Sequence, residues 1–342
     1  MTAVLCVNAA DRAAETWRRQ LAPFDRLEFA ISDAGGGIAK AVSQLARARR
    51  DDPKAPPLEH GLDLFHTARK AQRVLARQWR SAEAAWDRAV AADLKVARSR
   101  QQGIDARNVA RIARAAWSRA VASFERAERD DAAWRRAHAA LDLFRADGRL
   151  NDRAHAHAEI AEALNDLTSP DWSKVRHALS DSRSLSVLDR MHRRLESAEP
   201  DPAWREAMAW RWWLTHRRTP CPDRLTRLVR AVGRDRTLTP TEQASYDRVS
   251  AVLDDTFRAS SAVECLNSVL RMQQSRHKRM TQPMLDLKRL YWNCHRFRSG
   301  PRQTTCPDEA LGLKLPTFDF WTLLQADPKQ WTQTLSTALN AE

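Results

Sequence analysis

Between residues 67 and 250 the chain holds just three glycines, Gly103, Gly148 and Gly233, of nine in the whole sequence. A span that long, poor in turn formers and rich in Ala and Arg, favours extended helices by propensity. The apolar residues follow helical steps: Leu75, Trp79, Ala82 and Trp86 are spaced by four, three and four. Trp117, Val121 and Phe124, then Trp134, Ala137 and Leu141, repeat steps of three and four, which line one face of a helix. Gly103 falls where two such helices turn back on one another. Residues 67–145 therefore read as a long, coiled-coil-like hairpin with these side chains on its apolar face. Further helices are expected over 151–166, 172–196, 202–215, 222–232 and 240–256, with proline pairs near 200–202 and 220–222 as breaks. Trp204, Trp210, Trp212 and Trp213 have core spacing and are expected to pack.

The first 65 residues have another character. AVLCVN (3–8) and RLEFAIS (26–32) are short apolar runs suited to strands, and the segment from Glu15 to Phe24 between them has helical spacing. Gly35, Gly36 and Gly37 open a second helix with Ile38, Val42 and Leu45 on one side. A Pro-rich loop at 51–57 leads to LEHGLDLFHT (58–67), read as a strand running out into a loop. The alternation β-α-β-α-β marks an α/β layer. The fold class that follows is mostly α with a small α/β part. From 257 onward two helices joined near Met280 are followed by a loop at 299–308 and a short apolar tail.

No apolar run approaches the roughly 20 residues needed to span a bilayer. The first residues, MTAVLCVNAADRAAETW, have no basic stretch ahead of a long apolar one, so no signal peptide is read there. Five scattered cysteines without a C-x-x-C argue against a disulfide scaffold and a structural zinc site, and suit a reducing cytosol. The 57 Lys and Arg against 43 Asp and Glu give a net charge of +14. The excess is nearly all Arg, beside abundant Ala, which fits codon bias in a GC-rich genome. Its distribution is more informative: from Arg258 to Arg302 there are ten Lys and Arg and only two acids, Glu264 and Asp286. Phe257, Tyr291, Trp292 and Phe297 interleave with them, the composition of a nucleic-acid surface. The same charges on a solvated helix face would look alike.

Two carboxyls stand in unusual places. Asp33 follows an apolar strand and precedes a Gly-rich turn, the position at which open α/β sheets bind ligands and at which a helix N-cap also sits. Glu264 lies within Ala262-Val263-Glu264-Cys265-Leu266, an acid flanked by apolar residues inside the basic segment.

Taken together these motifs resemble a known family. The string SSAVECLNSVLRMQQSRHKRMTQPMLDLKRLYWNCHRF is similar to the end of the catalytic domain of DDE-type insertion-sequence transposases, whose last acid lies in a helix of the form V-E-x-x-N-x-x-L-R. Glu264, Asn267, Leu270 and Arg271 match that helix, and Tyr291-Trp292-Asn293 with Arg296-Phe297 match the one that follows. ISDAGGGIAKAV resembles the second-acid motif and points to Asp33. LDLFH resembles the D-x-x-H element of related transposases, here Asp63 and His66.

The resemblance, which covers about 25–75 and 257–325, implies an incomplete ribonuclease-H-like core interrupted by a long helical insertion. Its parts would be a partial core at 1–66, the insertion at 67–250, and C-terminal core helices with the last acid at 251–342. It implies DNA strand transfer by two-metal chemistry, in which hard divalent ions prefer carboxylates, waters and phosphate oxygens. Asp33 and Glu264 would be the ligands of Mg²⁺ or Mn²⁺, expected only for an intact site. Asp63 is the alternative second acid, and His66 either contacts the scissile phosphate or is structural. Asn267, Arg271, Arg276, Lys278, Arg279, Lys288 and Arg289 would contact DNA. Mapping backward from Asp33 uses up the chain before the family's first two strands, and no Asp matches the first acid. The expectation is therefore the C-terminal part of a transposase, inactive as written, in the bacterial cytoplasm at the nucleoid. DNA is its partner; a second copy and an upstream fragment of the same transposase are further partners the reading admits, and a membrane is not. A non-catalytic DNA-binding protein of transposase descent is the alternative, and a helical scaffold resting on the 67–145 hairpin, self-associating and without DNA affinity, is a further class left open.

Overall fold

The structure, a computed structural model, describes residues 13–22, 24, 27–32, 35–50, 52, 55–216, 233, 236–256, 281–296, 303–306, 309 and 317–327. It divides into two compact units, one of residues 13–260 and one that joins 1–12 to 261–342. Among the described residues the protein is mostly helical with one small parallel sheet.

In the larger unit, helix α1 (Ala14–Leu21) precedes strand β1 (Phe29–Ser32), helix α2 (Gly36–Arg50) and strand β2 (Glu59–Leu62). The strands pair in parallel, Phe29 opposite Glu59 and Ser32 opposite Leu62. Parallel neighbours need a crossover, and α2 supplies it. The expected strand at 3–8 lies outside the described residues. LEHGLDLFHT departs from its expectation: β2 does not run out into a loop but meets a helix at Leu64. Asp63 is the reason, since its side chain accepts a hydrogen bond from the Phe65 N–H (2.9 Å) and caps the first turn.

Helix α3 (Leu64–Gln101) and helix α4 (Arg107–Ala140) form the expected antiparallel hairpin. Gly103 makes its tip with φ +68°, and Ile104 N–H donates back to the Ser99 carbonyl, a left-handed helix ending that glycine accommodates. Of the expected apolar face, Ala82, Trp134, Ala137 and Leu141 are buried, but the seam differs at Trp86 and Val121. Alanines fill it, with Ala82, Ala89, Ala120 and Ala127 fully buried at seven-residue spacing. Trp86 is 42% exposed and Val121 45%. Small side chains let the helix backbones approach closely, leaving no room for indoles between them. The aromatics stack edge-on along one flank instead, Trp86 against Trp117 at 4.8 Å and against Phe124 at 5.3 Å. A groove of about 440 Å³ there is lined by Glu83, Trp86, Asp87, Val121, Phe124, Glu125 and Glu128.

Beyond the hairpin come α5 (Arg153–Asp166), α6 (Ser173–Ser180), α7 (Ser186–Ala198), α8 (Pro202–His216) and a helix over Pro240–Asp254. The last starts at a reciprocal cap between Thr239 and Glu242. The single helix expected over 172–196 is broken by Asp181, whose backbone is extended (ψ 125°) and whose side chain accepts from the Arg183 N–H. Apolar spacing continues through Ser180-Asp181-Ser182, but these three residues favour caps over helix interiors. The helix expected at 222–232 lies outside the described residues. One apolar cluster joins the base of the hairpin to these helices around Trp172, Leu167, Leu188 and Leu195, all unexposed. Trp213 is buried in it, and Trp210 and Trp212 pack against it, as their spacing predicts.

In the smaller unit, helices span Gln282–Cys294 and Phe320–Gln325, the second within the expected apolar tail. Tyr291 meets Phe320 edge-on at 5.2 Å, and Arg296 pairs with Glu309 at 2.8 Å.

Candidate functional site

The carboxyl end of the two-stranded sheet is where an α/β layer presents ligand-binding groups. Ser32 and Leu62 end the two strands opposite one another, and Asp63 N–H donates to the Ser32 carbonyl at 2.7 Å, extending the ladder by one bond. Asp63 is 3% exposed. With Oδ1 on the Phe65 amide, its Oδ2 lies 3.8 Å from His66 Nε2, one turn along α3. The D-x-x-H spacing thus places both side chains on the first turn of one helix.

Beneath them runs a network that sequence reading missed. Ser32 Oγ is 2.7 Å from His60 Nε2, and His60 Nδ1 is 3.3 Å from Arg183 Nη1. A guanidinium only donates, so Nδ1 must accept and Nε2 carries the proton donated to Ser32. Asp181 holds Arg183 through both carboxylate oxygens, at 2.5 and 2.9 Å among others. Burial, reinforced by the Arg183 charge and partly opposed by Asp181, lowers the His60 pKa to about 4. His60 is therefore a neutral link between β2 and the Asp181–Arg183 turn. Nothing in the sequence ties residues 60 and 183 together, and the continuous helix expected over 172–196 concealed the cap at Asp181.

His60 makes stability depend on pH in a definite direction. Above its unfolded pKa of 6.5 the ring is neutral in both states and the full stability is present. As pH falls toward 4, the unfolded chain takes up a proton that the folded chain does not. Urea denaturation of the larger unit should show a loss of about 2 kcal/mol across that window, after allowing for the ring's partial solvent contact. His60→Gln should remove that part of the pH dependence.

Of the other residues picked out by sequence, Asp33, Glu264, Asn267, Arg271, Arg276, Lys278 and Arg279 lie outside the described residues. Lys288 and Arg289 sit on the helix Gln282–Cys294, with Arg289 exposed and 3.4 Å from Asp286. Among the described residues, only Asp63 and His66 of this set are brought together. Among the described residues no three His, Cys, Asp or Glu side chains converge to hold a metal ion. Asp63 offers a single carboxyl already engaged as a cap, so the described residues alone do not fit an octahedral divalent ion. No helix among them is long and apolar enough to cross a membrane. No protein-family model, curated protein or solved structure matches the chain.

Proposed function

We propose that this chain is a DDE-type transposase polypeptide with a ribonuclease-H-like catalytic layer and a helical insertion, and that it binds DNA. The observation that best supports the reading is the parallel pair β1–β2, joined by α2, with strand ends in register. Asp33 follows Ser32 in the sequence and Asp63 follows Leu62, so both strands lead into an acid. That arrangement is what the resemblance asks of its second-acid region. Asp33 and Glu264 are the residues it assigns to Mg²⁺ or Mn²⁺. The chemistry would be an in-line displacement at phosphorus, with bound divalent ions neutralising charge on the phosphate. No Asp of the sequence matches the family's first acid, so on this reading the protein binds DNA without cutting it. A non-catalytic DNA-binding protein of the same descent is the second reading, favoured by the use of Asp63 as a helix cap.

The test is fluorescence anisotropy of a labelled duplex against the full chain over a range of NaCl. Neutralising Arg271, Arg276, Lys278 and Arg279 to Gln should flatten log K against log[salt] by about 0.9 for each phosphate left without its cation. An unchanged slope would leave 258–302 as a solvated basic face.

A further inference from the structure

The hairpin sorts its charges by side. Its buried seam repeats every seven residues, so positions seven apart stay on one flank of each helix. On the flank away from the aromatics, α3 presents Arg77, Ser81, Ala84, Arg88, Ala91, Lys95 and Arg98. Facing the same way, α4 presents Asn108, Ile112, Ala115, Arg119, Ala122, Arg126 and Arg129. All fourteen are exposed; seven are cations and none is an acid. The aromatic flank, by contrast, carries Glu83, Asp87, Asp93, Glu125 and Glu128. Codon bias toward Arg raises basic residues everywhere, but it does not clear acids from one face while leaving them on the other.

We infer that this basic flank of the hairpin is a binding surface for the phosphate backbone of duplex DNA. Lys95, Arg98 and Arg126 form no ion pair among the described residues, and Arg77 and Arg129 have only long ones, 3.7 and 4.0 Å to Asp171 and Asp130. Arg88 and Arg119 each tie Nε to a carbonyl of their own helix, Ala84 and Ala115, at 2.8 and 3.1 Å. Neither forms an ion pair with an acid among the described residues. Between the cations stand alanines, which keep the surface low enough for a phosphate to reach the guanidinium groups. From Arg77 to Arg98 the flank extends about 32 Å at 1.5 Å per residue, close to one turn of B-DNA, about 34 Å.

The composition also says how DNA would be read. No aromatic stands on this flank, so it has no platform on which unpaired bases stack, and a duplex is favoured over a single strand. Ser81 and Asn108 are its only uncharged hydrogen-bonding side chains, so contacts go to phosphates, which fix position without reading sequence. The choice of DNA over other polyanions rests on the transposase reading; the placement of the surface does not.

The experiment is duplex anisotropy against salt with the full chain and three variants of equal charge change. One is Arg88→Gln, Arg98→Gln, Arg119→Gln and Arg126→Gln together, on the basic flank. The second is the same number of neutralisations on other faces of the hairpin, Arg80, Arg100, Arg111 and Arg114 to Gln. The third neutralises the C-terminal segment as above. All positions changed in the hairpin are exposed, and circular dichroism at 222 nm checks that each variant remains helical. The basic-flank variant should lose about 2 to 4 units of slope, at about 0.9 per phosphate, and the second should lose less than one. Equal losses in those two would mean that only net charge matters, overturning the proposal. An unchanged slope in the first beside a reduced one in the third would overturn it while leaving the DNA reading intact. No duplex binding by the unaltered chain would defeat both. Anionic phosphatidylserine vesicles replace the duplex in a parallel titration; binding to them and not to the duplex overturns the proposal in favour of a lipid surface.

Discussion

Asp130→Ala is expected to destabilise the larger unit by about 3 kcal/mol, the scale for removing one member of a buried polar cluster. Asp130 is 2% exposed in the seam of the hairpin. Its Oδ2 accepts from Gln78 Nε2 of the facing helix at 2.7 Å and from Trp172 Nε1 at 2.8 Å. Trp172 is completely buried at the centre of the helical core. One oxygen thus fixes α4 to α3 and fixes both to the short helical turn that carries Trp172. Alanine would leave two buried donors unmet and a cavity beside the indole. Asp130→Asn keeps an acceptor of the same shape and should cost about 1 kcal/mol, the worth of an ordinary hydrogen bond. Urea denaturation followed at 222 nm distinguishes the two. Equal losses for Ala and Asn would mean that charge, and not the hydrogen bonds, holds the junction.

Gly148→Ala is expected to cost a similar amount, about 3 kcal/mol, for two reasons that add. The residue has φ +88°, where a Cβ is strained. An added Cβ would also stand 2.9 Å from the rings of both Trp210 and Trp213. Trp213 is packed in the core and cannot give way cheaply. Gly103 provides the control: its φ is +68° with no atom within 4 Å of an added Cβ. Gly103→Ala should therefore cost about 1 kcal/mol, the backbone part alone. If the two substitutions cost the same, the close approach of the tryptophans adds nothing.

These residues also show how far the sequence could be read. Glycine scarcity and three-four spacing placed the long hairpin and its Gly103 tip, because both depend on local backbone preference. They placed Ala82, Trp134 and Ala137 inside but misjudged the middle of the seam. Trp79, Trp86, Val121 and Phe124 have the right periodicity for a seam, yet alanines one or a few positions away pack closer, and hydrophobicity alone ranks an indole above a methyl group. Asp181 broke an expected helix because its capping chemistry outweighs continuing apolar spacing. At the site, Asp63 and His66 were found by motif, but the cap that Asp63 makes depends on β2 ending at Leu62. The link from Ser32 through His60 to Arg183 joins three distant segments, and pairings of that kind leave no mark in a single sequence. The hairpin's charge segregation was present in the sequence all along. It became legible only once the alanine seam set the phase of both helices.

On the proposed transposase reading the protein should hold DNA without cutting it, and a supercoiled-plasmid assay with Mg²⁺ or Mn²⁺ measures both properties at once. The full chain is compared with Asp33→Ala and Glu264→Ala, and binding is followed on the same samples by gel shift. The expected result is a plasmid that is bound, released by rising salt, and left unnicked by all three proteins. Metal-dependent nicking that disappears with either substitution would contradict it by showing a complete catalytic centre, and a plasmid left unbound at low salt would contradict the DNA reading itself.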